Sequence, residues 1–210
     1  MAPAGRFISF EGIDGSGKST QARMLADRLR NAGHSVVLTR EPGGSLGAEE
    51  IRRLVLEGEP DRWSPETEIL LFTAARRDHL EKTISPALAA GGIVITDRFA
   101  DSTRMYQGIS RGDLAAVVDQ LHTAMIGVEP DLTFIIDIDP AKGLSRAKGR
   151  GGTEERFEDF GVELQRKMRA GFLALAAKSP RFQVINGDRP EAEVAAEVAQ
   201  VALERIGAVA

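Results

Sequence analysis

Phe10-Glu11-Gly12-Ile13-Asp14-Gly15-Ser16-Gly17-Lys18-Ser19-Thr20 is the stretch on which the reading of this chain turns. From Gly12 to Ser19 it fits the spacing G-x-x-x-x-G-K-[ST], a loop that wraps phosphates. Average residue frequencies produce that spacing by accident in a chain this long about one time in a hundred. The context strengthens the match. Residues 6–10 (RFISF) read as a strand before the loop. Residues 19–31 read as a helix after it, with Ala22, Leu25, Leu29 and Ala32 on one face and Gly33 as the stop. A loop that approaches a polyanion closely has no room for side chains at Gly12, Gly15 and Gly17, so its backbone N–H groups face the anion beside the positive end of the helix. Lys18 adds a mobile cation, and the Ser19 hydroxyl can ligate Mg²⁺.

Working outward, short apolar runs alternate with helical stretches. Residues 36–39, 93–96, 132–137 and 182–185 read as further strands, and residues 65–89, 113–126, 157–178 and 191–206 as helices. Strands separated by helices require crossovers. The expected fold is therefore α/β, a P-loop NTPase fold of three α/β/α layers around a five-stranded parallel sheet. Ligands in such sheets sit at the carboxyl ends of the strands. The segments after Phe10, Thr39, Thr96 and Asp137 are where chemistry is expected. Asp97 ends an apolar run and is the favoured second metal contact because Arg98 follows it; Asp137 and Asp139 form a rival pair.

The 210 residues suit a single domain spanning 1–210. A net charge of −4 argues against coating nucleic acid, yet leaves room for a local basic pocket. The absence of cysteine excludes disulfides, thiolate metal sites and thiol nucleophiles, and fits a reducing, cytoplasmic setting. No signal peptide and no membrane span are read, since no apolar run approaches the roughly 20 residues a span needs. His34, His79 and His122 fall in no motif and read as surface or core filler. Residues 149–153 (GRGGT) are the least regular stretch, with Arg146, Lys148, Arg150 and Arg156 around them.

Two classes of protein use such a loop: enzymes that move a phosphoryl group to a small acceptor, and slow nucleotide switches. No Asn-Lys-x-Asp tetrapeptide, the guanine-reading signal of many switches, occurs here. Four segments instead resemble the thymidylate kinase family: the loop from Phe10 to Thr20, Thr39-Arg40-Glu41-Pro42-Gly43-Gly44, Asp97-Arg98-Phe99, and Ala100-Asp101-Ser102-Thr103-Arg104-Met105-Tyr106-Gln107-Gly108. Their order and spacing carry the resemblance over nearly the whole chain.

The resemblance implies transfer of the γ-phosphoryl group of ATP to dTMP, with Mg²⁺, in a homodimer. ATP is then expected on Gly12, Ile13, Asp14, Gly15, Ser16, Gly17, Lys18, Ser19 and Thr20. Phe72 matches the aromatic that stacks on thymine, and Arg76, one helical turn on, the arginine that donates to a thymine carbonyl. Thr103 matches a reader of the base edge, Tyr106 a tyrosine that crowds the sugar, and Gln107 a further neighbour. Arg40, with Glu41 and Pro42 beside it, and Arg98 match the holders of the acceptor phosphate; Asp14 bridges the two sites. Gly15 stands where some members carry a loop arginine. The catalytic cation is then expected in a mobile lid over 146–158, with Arg150 as first choice and Arg146 and Arg156 as supports. Another nucleotide or nucleoside kinase, using dUMP or a deoxynucleoside, is the rival within the class.

Overall fold

The computed structural model describes residues 5–59, 62–109, 113–149 and 161–207. Five strands, β1 (Arg6–Glu11), β2 (Val36–Arg40), β3 (Ile93–Asp97), β4 (Leu132–Asp137) and β5 (Phe182–Asn186), form one sheet in the order β2-β3-β1-β4-β5. All neighbouring pairs are parallel. Most strands run one residue beyond the apolar run that marks them, so Glu11, Arg40 and Asp97 carry polar side chains off the carboxyl edge.

The central strands are apolar on both faces because both are covered. Ile8, Phe10, Ile95, Phe134 and Ile136 pack against Leu25 and Leu29 of α1 (Lys18–Asn31) and, near the chain end, Val194, Val198 and Ala202. Their period-2 neighbours face the other way. Phe7 and Val94 meet Leu80 and Ile84, while Ile135 meets Met168 and Phe172. Phe10 and Phe134 stack at 5.1 Å between adjacent strands. Burying each such side chain contributes roughly 2 kcal/mol.

Seven helices complete the first three quarters of the described chain: α1, α2 (Leu46–Leu56), α3 (Pro65–His79), α4 (Ser85–Ala89), α5 (Ala100–Thr103), α6 (Ala115–Met125) and α7 (Pro140–Lys148). They are followed by α8 (Gly161–Ala176) and α9 (Glu191–Ile206). The single helix expected over 65–89 is split by a π-helical turn, Leu80–Ile84. Pro86 lacks an N–H, and its ring would strike the carbonyl four residues earlier in a regular helix; the wider turn comes just before it. α2 and α7 are additions to the sequence reading. α2 buries only Ala48 and Val55 and so shows little periodicity. α7 is nine residues long and starts on Asp139, whose side chain accepts from Ala141 N–H at 2.9 Å and Lys142 N–H at 3.2 Å.

The chain leaving β1 crosses toward β2, and the chain leaving β4 goes to β5, in opposite directions across the sheet. Their carboxyl ends diverge and leave a crevice.

Candidate active site

A cavity of about 660 Å³ opens at that edge. Asp14, Gly15, Gly17, Lys18 and Ser19 line it from the β1 loop, Arg40, Glu41 and Pro42 from the end of β2, and Asp97, Arg98 and Phe99 from the end of β3. Phe72 and Arg76 of α3 form another wall, with Ser102, Thr103, Tyr106 and Gln107 beside them. Arg52 and Leu56 of α2 complete the lining.

The scaffold places its own demands on the glycines of the loop. A Cβ on Gly15 would lie 2.0 Å from the Gly143 carbonyl oxygen of α7, so the loop is pressed against its own scaffold. Gly17 has open space beside it but φ of +95°, a conformation that only glycine adopts freely at the start of α1. Lys18 donates to the Ile13 carbonyl at 3.2 Å and lies 3.7 Å from Asp14 Oδ1. Burial, then the nearby Arg98 charge, lowers the Lys18 ammonium below the ordinary lysine value, against the pull of Asp14.

Arg98 is the pivot of the site. It adopts φ of +72°, unusual for a residue with a Cβ and worth about 1–3 kcal/mol of strain. Its N–H donates to Phe10 O at 2.9 Å, and its own carbonyl accepts from Thr96 Oγ1 at 2.8 Å. The guanidinium donates to Ser102 Oγ at 3.0 Å, to Tyr106 OH at 3.2 Å and to Asp14 Oδ1. Tyr106 OH donates in turn to Asp14 Oδ2 at 2.6 Å. Burial alone would raise the Asp14 carboxyl, but Arg98 and Lys18, with the Tyr106 hydroxyl, hold it down at about 2.

A second network orients Arg76. Its Nε donates to Glu41 Oε2 at 2.7 Å and its Nη2 to Thr103 Oγ1 at 2.9 Å. His79 Nδ1 lies 3.0 Å from Glu41 Oε1, and its Nε2 lies 2.7 Å from Thr39 Oγ1. His79 is thus part of the scaffold behind a cavity wall. Gln107 donates to Glu68 Oε2 at 3.2 Å. Arg40 reaches both oxygens of Glu49 at 3.2 Å on the exposed rim.

Asp97 and its rivals separate cleanly. Asp97 Oδ1 is buried at the cavity and has no hydrogen-bond partner among the described residues. Asp137 gives both oxygens to Arg169 of α8, at 2.6 and 2.8 Å, and Asp139 caps α7. An orphaned carboxylate oxygen on the cavity that the exposed Ser19 also lines fits a cation held jointly with phosphates. Among the described residues no three carboxylates or histidines converge to hold a metal alone.

Several candidates lie away from the cavity lining. Gly12, Ile13 and Ser16 are buried behind the loop, Thr20 is half-buried in α1, and Arg146 is exposed on α7. Arg150, Arg156 and most of the 146–158 segment lie outside the described residues. The sequence reading passed over Glu11, Arg52, Leu56 and Ser102. Arg52 donates to Pro42 O at 2.6 Å. A helix over 46–56 would have put Arg52 and Leu56 one turn apart on one face, but the apolar pattern there is too sparse to reveal it.

The family model described as thymidylate kinase matches residues 10–198. The chain belongs to the thymidylate kinase family. Membership makes it a nucleotide kinase and agrees with the G-x-x-x-x-G-K-[ST] loop that lines part of the cavity. A thymidylate kinase of Ruegeria pomeroyi is 72% identical over 207 residues, covering 98% of both chains. One from Dinoroseobacter shibae is 68% identical over 199 residues, covering 94% of this chain and 96% of its own. Among solved structures, thymidylate kinase from Ehrlichia chaffeensis superposes with a TM-score of 0.76 at 40% identity, covering 95% of this chain and 99% of that one. No helix among the described residues is long and apolar enough to cross a membrane.

Proposed function

We propose that this chain transfers the γ-phosphoryl group of ATP to dTMP, giving ADP and dTDP, as one kinase domain with residues 146–158 as its lid. One observation carries the reading: a single cavity is lined by the phosphate loop, by Phe72, Arg76 and Thr103, and by Arg98, which donates to Asp14 of that loop. ATP phosphates sit on the loop from Gly12 to Thr20, and Lys18 neutralises them. Thymine lies against Phe72, its carbonyl facing the Arg76 guanidinium that Glu41 and Thr103 hold. Arg98 and Arg40 take the acceptor phosphate, and Asp14 with Tyr106 sets the Arg98 guanidinium in place.

The acceptor phosphate has a second pKa near about 6 and is largely ionised at neutral pH, so the reaction needs no strong base. The task is to bring two polyanions together, which Lys18 and Arg98 do from loops after different strands. Ser19 and Asp97 would hold Mg²⁺ with the ATP phosphates, and the bound ion supplies further positive charge at the phosphoryl oxygens. Arg150 is the first choice for the cation on the transferred group, with Arg146 and Arg156 in support, as the resemblance implies. A homodimer belongs to the same reading: Leu70 on α3 and Val117 and Met125 on α6 are apolar and exposed on two helices in contact.

ADP formation from ATP, measured with dTMP, dUMP, dCMP, dGMP or thymidine as acceptor, tests this. dTMP is expected to be fastest, and thymidine, which lacks the phosphate that Arg98 and Arg40 hold, inactive. Preference for another acceptor points to a different kinase. No acceleration by any acceptor points to a switch.

A further inference from the structure

Glu11 ends β1 just before the phosphate loop and is fully buried. Glu11 does not itself line the cavity, yet the hydrogen bonds its carboxylate accepts come from Phe99 and Ser102, lining residues just after Arg98. Oε1 accepts from Phe99 N–H at 2.7 Å and from Ser102 N–H at 3.3 Å. Oε2 accepts from Ser102 Oγ at 2.6 Å, and Ser102 Oγ accepts from Arg98 Nη1 at 3.0 Å. The Ser102 hydroxyl therefore has a fixed direction: it gives its proton to Glu11 and turns a lone pair to the guanidinium. Phe99 follows the one described non-glycine residue with positive φ, so Glu11 also anchors the strained backbone at Arg98.

We infer that Glu11 is a positioning residue for phosphoryl transfer, fixing the Arg98 guanidinium through Ser102 and the Phe99 N–H. The inference rests on the reading of Arg98 as holder of the acceptor phosphate. A neutral side chain of the same size would satisfy the backbone donors, so the charge needs its own explanation. Burial, then repulsion from Asp101, pushes the Glu11 carboxyl up to about 7, against the pull of the Ser102 hydroxyl and Arg98. Asp101 is itself held by Arg104 at 2.7 Å and Arg181 at 2.9 Å, and Lys18 of α1 also feels the Glu11 charge. The folded-state value lies above the ordinary carboxyl value of 4.5, so the ionised form opposes folding. That penalty grows as pH rises from 4.5 through about 7 and is complete above it.

Glu11→Gln preserves the size and the acceptor for Phe99 N–H, removes the charge, and reverses the bond to Ser102. The test compares wild type, Glu11→Gln, Ser102→Ala and the double variant. In Glu11→Gln, kcat/KM for dTMP is expected to fall about tenfold, the effect of one lost charge-assisted hydrogen bond, while KM for ATP moves less than about twofold. The Tm of Glu11→Gln at pH 8 stays at or above that of wild type. The loss in the double variant is smaller than the product of the two single losses, because one relay carries both. A lower Tm with equal damage to both substrates makes Glu11 scaffold only and overturns the inference. So does wild-type kinetics in Glu11→Gln, or a double-variant loss equal to the product. Wild type inactive on dTMP instead sinks the functional reading on which the inference stands.

Discussion

Asp97 and Asp137 end the two strands that flank β1, and as sequence they differ little: each is an acid after an apolar run, and Arg98 after Asp97 is what sets that one apart. The fold treats them differently. α8 packs over β4 and delivers Arg169 to both oxygens of Asp137, closing that strand end with an ion pair. Over β3 the chain turns sharply at Arg98 and runs into α5, leaving a cavity onto which Asp97 faces with Oδ1 unsatisfied among the described residues. The comparison teaches that an acid at a strand end is left open to a cavity or closed into an ion pair according to the helix laid across it.

Four substitutions test that contrast, in falling order of expected effect. Lys18→Ala, at the start of the helix that follows the strand between the two, should lower kcat by about 10²–10³-fold with the fold intact, the scale of losing one fixed donor to developing charge. Turnover near wild type would detach the β1 loop from the chemistry. Asp97→Asn should lower kcat about 10- to 100-fold and raise the Mg²⁺ concentration needed for half-maximal rate. An unchanged Mg²⁺ dependence would place Asp97 outside the metal site. Phe72→Ala should raise KM for dTMP about tenfold with KM for ATP nearly constant, since stacking on a base is worth about 1–3 kcal/mol. Equal weakening of both would make Phe72 a structural residue. Asp137→Asn should leave kcat within about twofold and lower stability by about 1 kcal/mol or less, the range for a partly exposed ion pair. A large loss of Mg²⁺-dependent rate there would invert the comparison.

The sheet and its five strands were legible because burial on both faces forces unbroken apolar runs, and the loop from Gly12 to Ser19 was legible because phosphate binding dictates glycine and lysine at fixed spacing. Asp97 was preferred to Asp137 on the strength of the following arginine, whereas the physical reason lies in Arg169, thirty-two residues beyond Asp137 and invisible to local pattern. Glu11, Ser102 and His79 were passed over for a related reason. Their roles are made by contacts across 91 residues for Glu11 and Ser102 and 38 for His79 and Glu41, and periodicity reports only neighbours along an element. The π turn at Leu80–Ile84 and the short α7 escaped because one departs from the regular helical period and the other is too brief to show it.

The most direct test of the account is a crystal structure of the wild-type chain with dTMP and a non-hydrolysable ATP analogue bound together. The account predicts the acceptor phosphate on Arg98, thymine against Phe72 and Arg76, and the triphosphate on the loop around Lys18. A dTMP molecule seated elsewhere, with Arg98 still turned only to Asp14, Tyr106 and Ser102, would contradict it.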